Sequence, residues 1–205
     1  MDCISDVEAL RGIYGVLPPG AMAPRLVLPQ LHRHHLAYIR LSPFVVIASA
    51  NARGEPDVSP RGDRPGFVTA PDAHTLVLPD RPGNKKLVTL TNILANQAGA
   101  LLFIVPGRIE SLRVNGTASI TADPAELAPL AVDGRPPQSA LTIRVGSAWF
   151  HCGRALLRSQ LWEPEAQASP SALPPLGKMI ADQIHGIDAG DAEARLERAN
   201  AQLWG

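Results

Sequence analysis

The middle of the chain is written in short apolar runs separated by clusters of Gly, Pro, Asn and Asp. FVVIASA (44–50), PDVSPRG (56–62), GFVTA (66–70), HTLVLP (74–79), ALLFIV (100–105), SLRVNGTASITA (111–122) and LTIRVGSAWF (141–150) read as strands, bounded by the turns NARGEP, PDA and PGR. In LTIRVGSAWF, residues Leu141, Ile143 and Val145 fall on one face. One segment changes period. LVTLTNILANQ places Leu87, Leu90, Ile93 and Leu94 at helical spacing, with Gly99 positioned to end the helix.

Helices are predicted at both flanks. Ser5 or Asp6 caps SDVEALRGIYG, which ends at Gly15. LPQLHRHHLAYIRLS carries Leu28, Leu31, Leu36 and Ile39 near helical spacing and stops before Pro43. Between them, VLPPGAMAPRLVLP is proline-rich and reads as extended surface chain. SPSALPPLGKMIADQIHG and DAEARLERANAQLW read as helices, the second with Ala192, Leu196 and Ala199 along one side. About six short strands with one clear helix among them favour an antiparallel sheet closing into a barrel over a doubly wound sheet. The proline-rich stretches near 17–29 and 164–175 mark its borders. They divide the chain into an N-terminal helical or extended arm (1–30), a barrel domain (31–163) and a C-terminal helical extension (164–205).

The 205 residues suit one domain with decorated ends, and a hydrophobic content of 45 % supports a sizeable core. Nineteen Lys and Arg balance nineteen Asp and Glu, and aromatics are 4 %. That balance argues against a nucleic-acid or membrane partner, so any basic site is local. Cys3 and Cys152 are too far apart and too few for a disulfide framework. The chain from Lys86 to Arg108 has no charge between those two residues. Thr89, Thr91, Asn92, Asn96, Gln97 and Gly99 break it into a buried helix and strand rather than a membrane span. With no apolar leader in MDCISDVEALRGIYG, a cytoplasmic protein is expected.

The local basic site is RPGNKK, Arg81 to Lys86, at a strand-to-helix junction. A helix start presents unpaired N–H groups and partial positive charge, a seat for an anion. Pro82 and Gly83 shape the turn, and Asn84 is placed as cap or donor. Lys85 and Lys86 oppose the helix dipole, at a cost of about 0.3–1 kcal/mol each unless an anion joins them. A solvated basic loop fits these residues equally well. Neither the phosphate-loop spacing nor the dinucleotide fingerprint is present. A second cationic cluster, SPRGDRPG, lies one hairpin away; Ser59 and Arg61 share a face there, and Arg61 can clamp a phosphate in bidentate fashion.

The run GEPDVSPRGDRPGFV…HTLVLPDRPGNKKLVTLTNIL…ALLFIVPG…ESLRVNGTASIT resembles the pyridoxamine 5′-phosphate oxidase-like, FMN-binding split-barrel family, in its FMN-dependent flavoprotein branch. The resemblance covers about Leu36 to Trp162. It implies a mainly β (α+β) fold, an antiparallel split β-barrel with flanking helices, and a homodimer with FMN at the subunit interface. Lys86 would hold the flavin phosphate with Asn84 and Lys85 beside it. Ser59 aligns with the family's strand arginine, and Arg61 is its substitute two residues on. Asp80 and Arg81 would border the flavin, while Ser111 or Arg113 would approach its ring. Arg158 and Trp162 would reach in from the partner subunit. The implied activity is FMN-dependent oxidoreduction of an unidentified small molecule by hydride transfer. An F420-dependent reductase of the same fold, or a flavin or haem carrier without turnover, is the alternative. The basic, histidine-containing ending of true pyridoxamine phosphate oxidases is missing, since only His185 follows Trp162.

Other residues invite chemistry less strongly. His32, His34 and His35 lack an acidic or cysteine partner nearby, so a solvated helix is expected and no metal. His151 and Cys152 are adjacent and cannot face each other, so Cys152 reads as buried and structural. Asp63, Asp72 and Asp80 lie beside turns and read as turn formers. No catalytic acid or base is assigned.

Overall fold

The computed structural model describes residues 3–201. Its strands are β1 (Phe44–Ala50), β2 (Pro56–Gly62), β3 (Thr69–Asp72), β4 (Thr75–Pro79), β5 (Ala98–Ile104), β6 (Ser111–Thr121) and β7 (Ala140–His151). Among the described residues these seven form one antiparallel sheet in the order β2-β1-β5-β6-β7-β4-β3. The ladder does not close: β2 and β3 are its two edges, which gives the split-barrel architecture. Alternation puts Val45, Ile47, Leu76, Leu78, Leu101, Phe103, Leu112, Val114, Leu141 and Ile143 inside, none more than 2 % exposed. Each such side chain contributes about 1.5–3 kcal/mol on burial.

β6 and β7 form the longest ladder, and its register shifts between Asn115 and Gly116. A side chain cannot fit at that bulge. A Cβ on Gly116 would lie 2.0 Å from the Arg144 carbonyl oxygen. This irregularity lets a long ribbon curl enough to enclose the core.

The helices are α1 (Val7–Tyr14), α2 (Met22–Arg25), α3 (Arg33–Leu41), α4 (Val88–Ala95), α5 (Pro124–Leu127), α6 (Arg154–Arg158), α7 (Leu176–Gln183) and α8 (Ala189–Asn200), of which α3 and α4 pack most closely on the sheet. Asp6 caps α1, whose end is at Gly15 as the pattern predicts. Leu28 is not part of a helix; it pairs with Ala148 in an isolated bridge. His32 caps α3, and the His35 ring accepts the His32 backbone N–H at 3.1 Å. His35 is therefore buried rather than solvated, packed edge-on against Phe150 at 5.0 Å. Burial first, then the neighbouring His32 and His34, holds its pKa below the ordinary value. Tyr38 completes the anchor, its hydroxyl donating to the Glu110 carbonyl at 2.5 Å.

Three expectations about α4 are corrected. It begins at Val88, two residues later than Lys86, and ends at Ala95 with Asn96 extended. Gly99 does not end it; that residue lies inside β5, opposite Ser49. The buried face is Thr89, Asn92 and Ile93, while Leu94 is 77 % exposed. The reason is polar: Asn92 donates to Ser49 inside the fold, and Thr89 reaches Asp57 on β2. Cys152 is exposed rather than buried, because β7 ends at His151 and the chain turns away into α6. α7 and α8 pack chiefly on each other, and the last three positions of the final predicted helix lie outside the described residues. No helix among the described residues is long and apolar enough to cross a membrane.

Candidate functional site

The inward face of β2 is polar. Asp57, Ser59 and Arg61 alternate with the exposed Pro56, Val58, Pro60 and Gly62, so three polar side chains point to where the sheet is open. Proline at an edge strand forfeits little, since no neighbour needs its N–H. Against this strand stands the loop from Asp80 to Leu87, joining β4 to α4. Between them lies a cleft of about 730 Å³. Ser59, Arg61, Asp80, Arg81, Asn84, Lys85 and Lys86, all singled out by the sequence, line it.

The loop holds an unusual backbone. Lys85 and Leu87 are left-handed, with φ of 59° and 56°. A left-handed residue bearing a side chain costs roughly 1–2 kcal/mol. Asn84 does not cap α4; its Oδ1 accepts the Lys86 backbone N–H at 3.0 Å and folds the turn. The capping position belongs to Leu87, which brings no side-chain acceptor, so the first amides of α4 face the cleft mouth without one. Lys85 and Lys86 are exposed at that mouth.

Arg61 is held from two sides. Its Nη1 donates to Ser59 Oγ and, at 2.9 Å, to the Pro60 carbonyl. Its Nε lies 4.0 Å from Asp80 Oδ1. Burial raises the Asp80 pKa above the usual carboxylate value, with Arg61 pulling the other way. Arg81, at the cleft wall, is engaged by Asp63, its Nε donating to Oδ2 at 2.6 Å. Asp63 is thus an ion-pair partner as well as a turn former, and Asp80 faces a guanidinium. Of the three aspartates only Asp72 does turn work alone, accepting from the His74 amide and Thr75 hydroxyl.

The other expected residues stand elsewhere in this chain. Ser111, Arg113, Arg158 and Trp162 do not line the cleft. Ser111 is buried, and Arg113 stacks on the Trp149 ring at 4.9 Å. Trp162 Nε1 donates to the Arg108 carbonyl at 2.8 Å. Conversely, Asp57, Thr89 and the segment Arg135–Gln138 line the cleft and were missed. Asp57 sits in the same alternation as Ser59 and Arg61, and that period could have found it. Nothing local in GRPPQ ties it to a site about fifty to eighty residues upstream by chain order. Among the described residues no three metal-ligating side chains converge.

What the cleft offers is a set of donors: a guanidinium, two ammonium groups and the amides of a helix start. This is the chemistry that holds a phosphate. A family profile described as pyridoxamine 5′-phosphate oxidase matches residues 31–152, more than half of the chain. The chain belongs to that family. Among solved structures it is similar to HupZ of Group A Streptococcus, at 18 % identity and a TM-score of 0.46, over 58 % of this chain and 93 % of that one. An FMN-binding protein of Syntrophomonas wolfei is similar at 9 % identity and a TM-score of 0.46, over 70 % and 95 %. A third is a pyridoxinephosphate oxidase-family protein of Clostridium acetobutylicum, related to general stress protein 26 of B. subtilis. It shows 16 % identity and a TM-score of 0.42, over 57 % and 84 %. No curated protein matches the chain.

Proposed function

We propose that this protein binds FMN in the cleft and works as an FMN-dependent oxidoreductase on a small molecule. The observation that carries the reading is the convergence of Arg61, Asn84, Lys85 and Lys86 on one cleft of about 730 Å³. Cofactor sites commonly enclose about 300–1,000 Å³, so a flavin mononucleotide is of suitable size. The donor set also suits its phosphate. Lys85 and Lys86 at a helix start are unfavourable alone and favourable beside a dianion.

In this reading Arg61 and Lys86 hold the phosphate, with Lys85 and the amides of α4 completing the seat. Arg61 leaves Asp80 to do so, and Ser59 keeps its guanidinium oriented. The bound flavin supplies hydride transfer at its ring, while the protein fixes the ring and excludes water. The ring would lie toward a second subunit, where the exposed Leu87, Val88 and Leu94 of the α4 region offer an apolar face. Arg158 and Trp162 of that subunit, with Ser111 and Arg113, remain candidates for its surroundings. We place the homodimer in the cytoplasm, where the exposed Cys152 thiol suits a reducing compartment.

The test is direct. The purified protein should absorb as a flavin and release FMN on heating. Lys86→Ala should lose about 1.5–3 kcal/mol of FMN affinity, the worth of one charge-assisted contact, at an unchanged melting temperature. A colourless protein that ignores added FMN, or a variant with full affinity, would overturn the proposal.

A further inference from the structure

The cleft lies where the sheet is open, and two ion pairs cross that opening. β2 and β4 occupy the first and sixth places of the strand order, so no ladder joins them. Asp63, just past β2, holds Arg81, just past β4, at 2.6 Å. Arg61 and Asp80, on the same two segments, face each other at 4.0 Å with the charges reversed.

The two crossings differ in kind. The Asp63 side chain is 1 % exposed and that of Arg81 15 %. Both Asp63 oxygens are engaged: Oδ2 by Arg81, and Oδ1 by the Arg64 backbone N–H at 2.5 Å. Its own backbone N–H donates to the Pro43 carbonyl at 3.1 Å, which roots the acceptor in the chain leading into β1. The Arg61–Asp80 pair is longer, more open, and borders the cleft on both sides. One pair is built to stay and the other to exchange.

We propose that Asp63 and Arg81 are positioning residues, a clasp across the split that sets the spacing between the Arg61 strand and the Lys85–Lys86 loop. This rests on the cleft being the cofactor seat. It also gives Arg81 a task other than ligand contact, since its guanidinium is committed to Asp63. The loop it tethers contains two left-handed residues with side chains and needs an outside restraint to stay in that shape. A buried carboxylate with a short, directional partner supplies one, and salt screens such a pair little.

Hydrogen exchange and FMN binding in Asp63→Asn decide the matter. The amides of residues 80–87 should exchange faster while those of β5 and β6, in the middle of the sheet, keep their protection. The FMN dissociation constant should rise on the order of tenfold. If Asp63→Asn does not fold, Arg81→Lys keeps the charge, loses the planar fork, and should give the same local pattern. Unchanged exchange at 80–87, or a rise spread evenly over the sheet, would overturn the clasp, the even rise marking a merely structural pair. A wild-type protein that takes no FMN would sink the proposed function, while the exchange pattern alone would still decide for or against the clasp.

Discussion

Among the described residues Asp80 is the carboxylate paired with Arg61, and under the proposed function it competes with the ligand for that guanidinium. Its folded pKa is raised, so its ionised form costs stability at neutral pH, and the cost sets in as pH rises through that raised value. Asp80→Asn should therefore be no less stable at pH 7. It should bind FMN or inorganic phosphate tighter, by about fivefold at most for a pair this open. Calorimetric titration checks both ligands; weaker binding would mean that Asp80 orients Arg61 instead of occupying it. Residue chemistry was largely legible here. Ser59, Arg61, Asn84 and the lysines declared themselves by charge, spacing and position in a turn. Asp63 did not, because its partner is eighteen residues away and only the folded chain brings them together.

At the scale of elements, period and punctuation located the strands, and the errors fell at ends and faces. Gly99 looked like a helix stop but serves a strand, since glycine suits both and the ladder decides. The inward face of α4 is mixed: Ile93 and Leu90 pack on the core as the spacing predicts, and Thr89 and Asn92 join them. Asn92 and Thr89 find partners inside, so two hydrogen bonds outweigh one exposed leucine. α6 was missed, being only five residues long and lacking a side-chain cap. The β6–β7 bulge makes a sharp prediction. Gly116→Ala sets a Cβ against backbone atoms that cannot swing aside, so it should destabilise by about 1–3 kcal/mol or more. Urea unfolding should show a lower midpoint with an unchanged slope; an unshifted midpoint would mean the ribbon can flatten.

For the whole molecule, the sheet class was readable while the place of the opening was not, because it depends on which strands remain unpaired. Acid sensitivity is also a property of the assembled fold. His35 is buried neutral between α3 and β7, so its stabilising share is complete above its ordinary value of 6.5 and is lost as pH falls toward the depressed one. Stability measured in urea should decline over that window, and His35→Gln, which keeps an acceptor for the His32 N–H, should flatten the slope. An equal slope in the variant would assign the effect to other groups. The split leaves two strand edges in view, and both are blunted. β2 carries Pro56 and Pro60, and β3 is four residues long with Pro71 and a broken register. A foreign strand finds no continuous row of donors on either side. Among the described residues neither edge offers a template for strand-by-strand growth into a fibril.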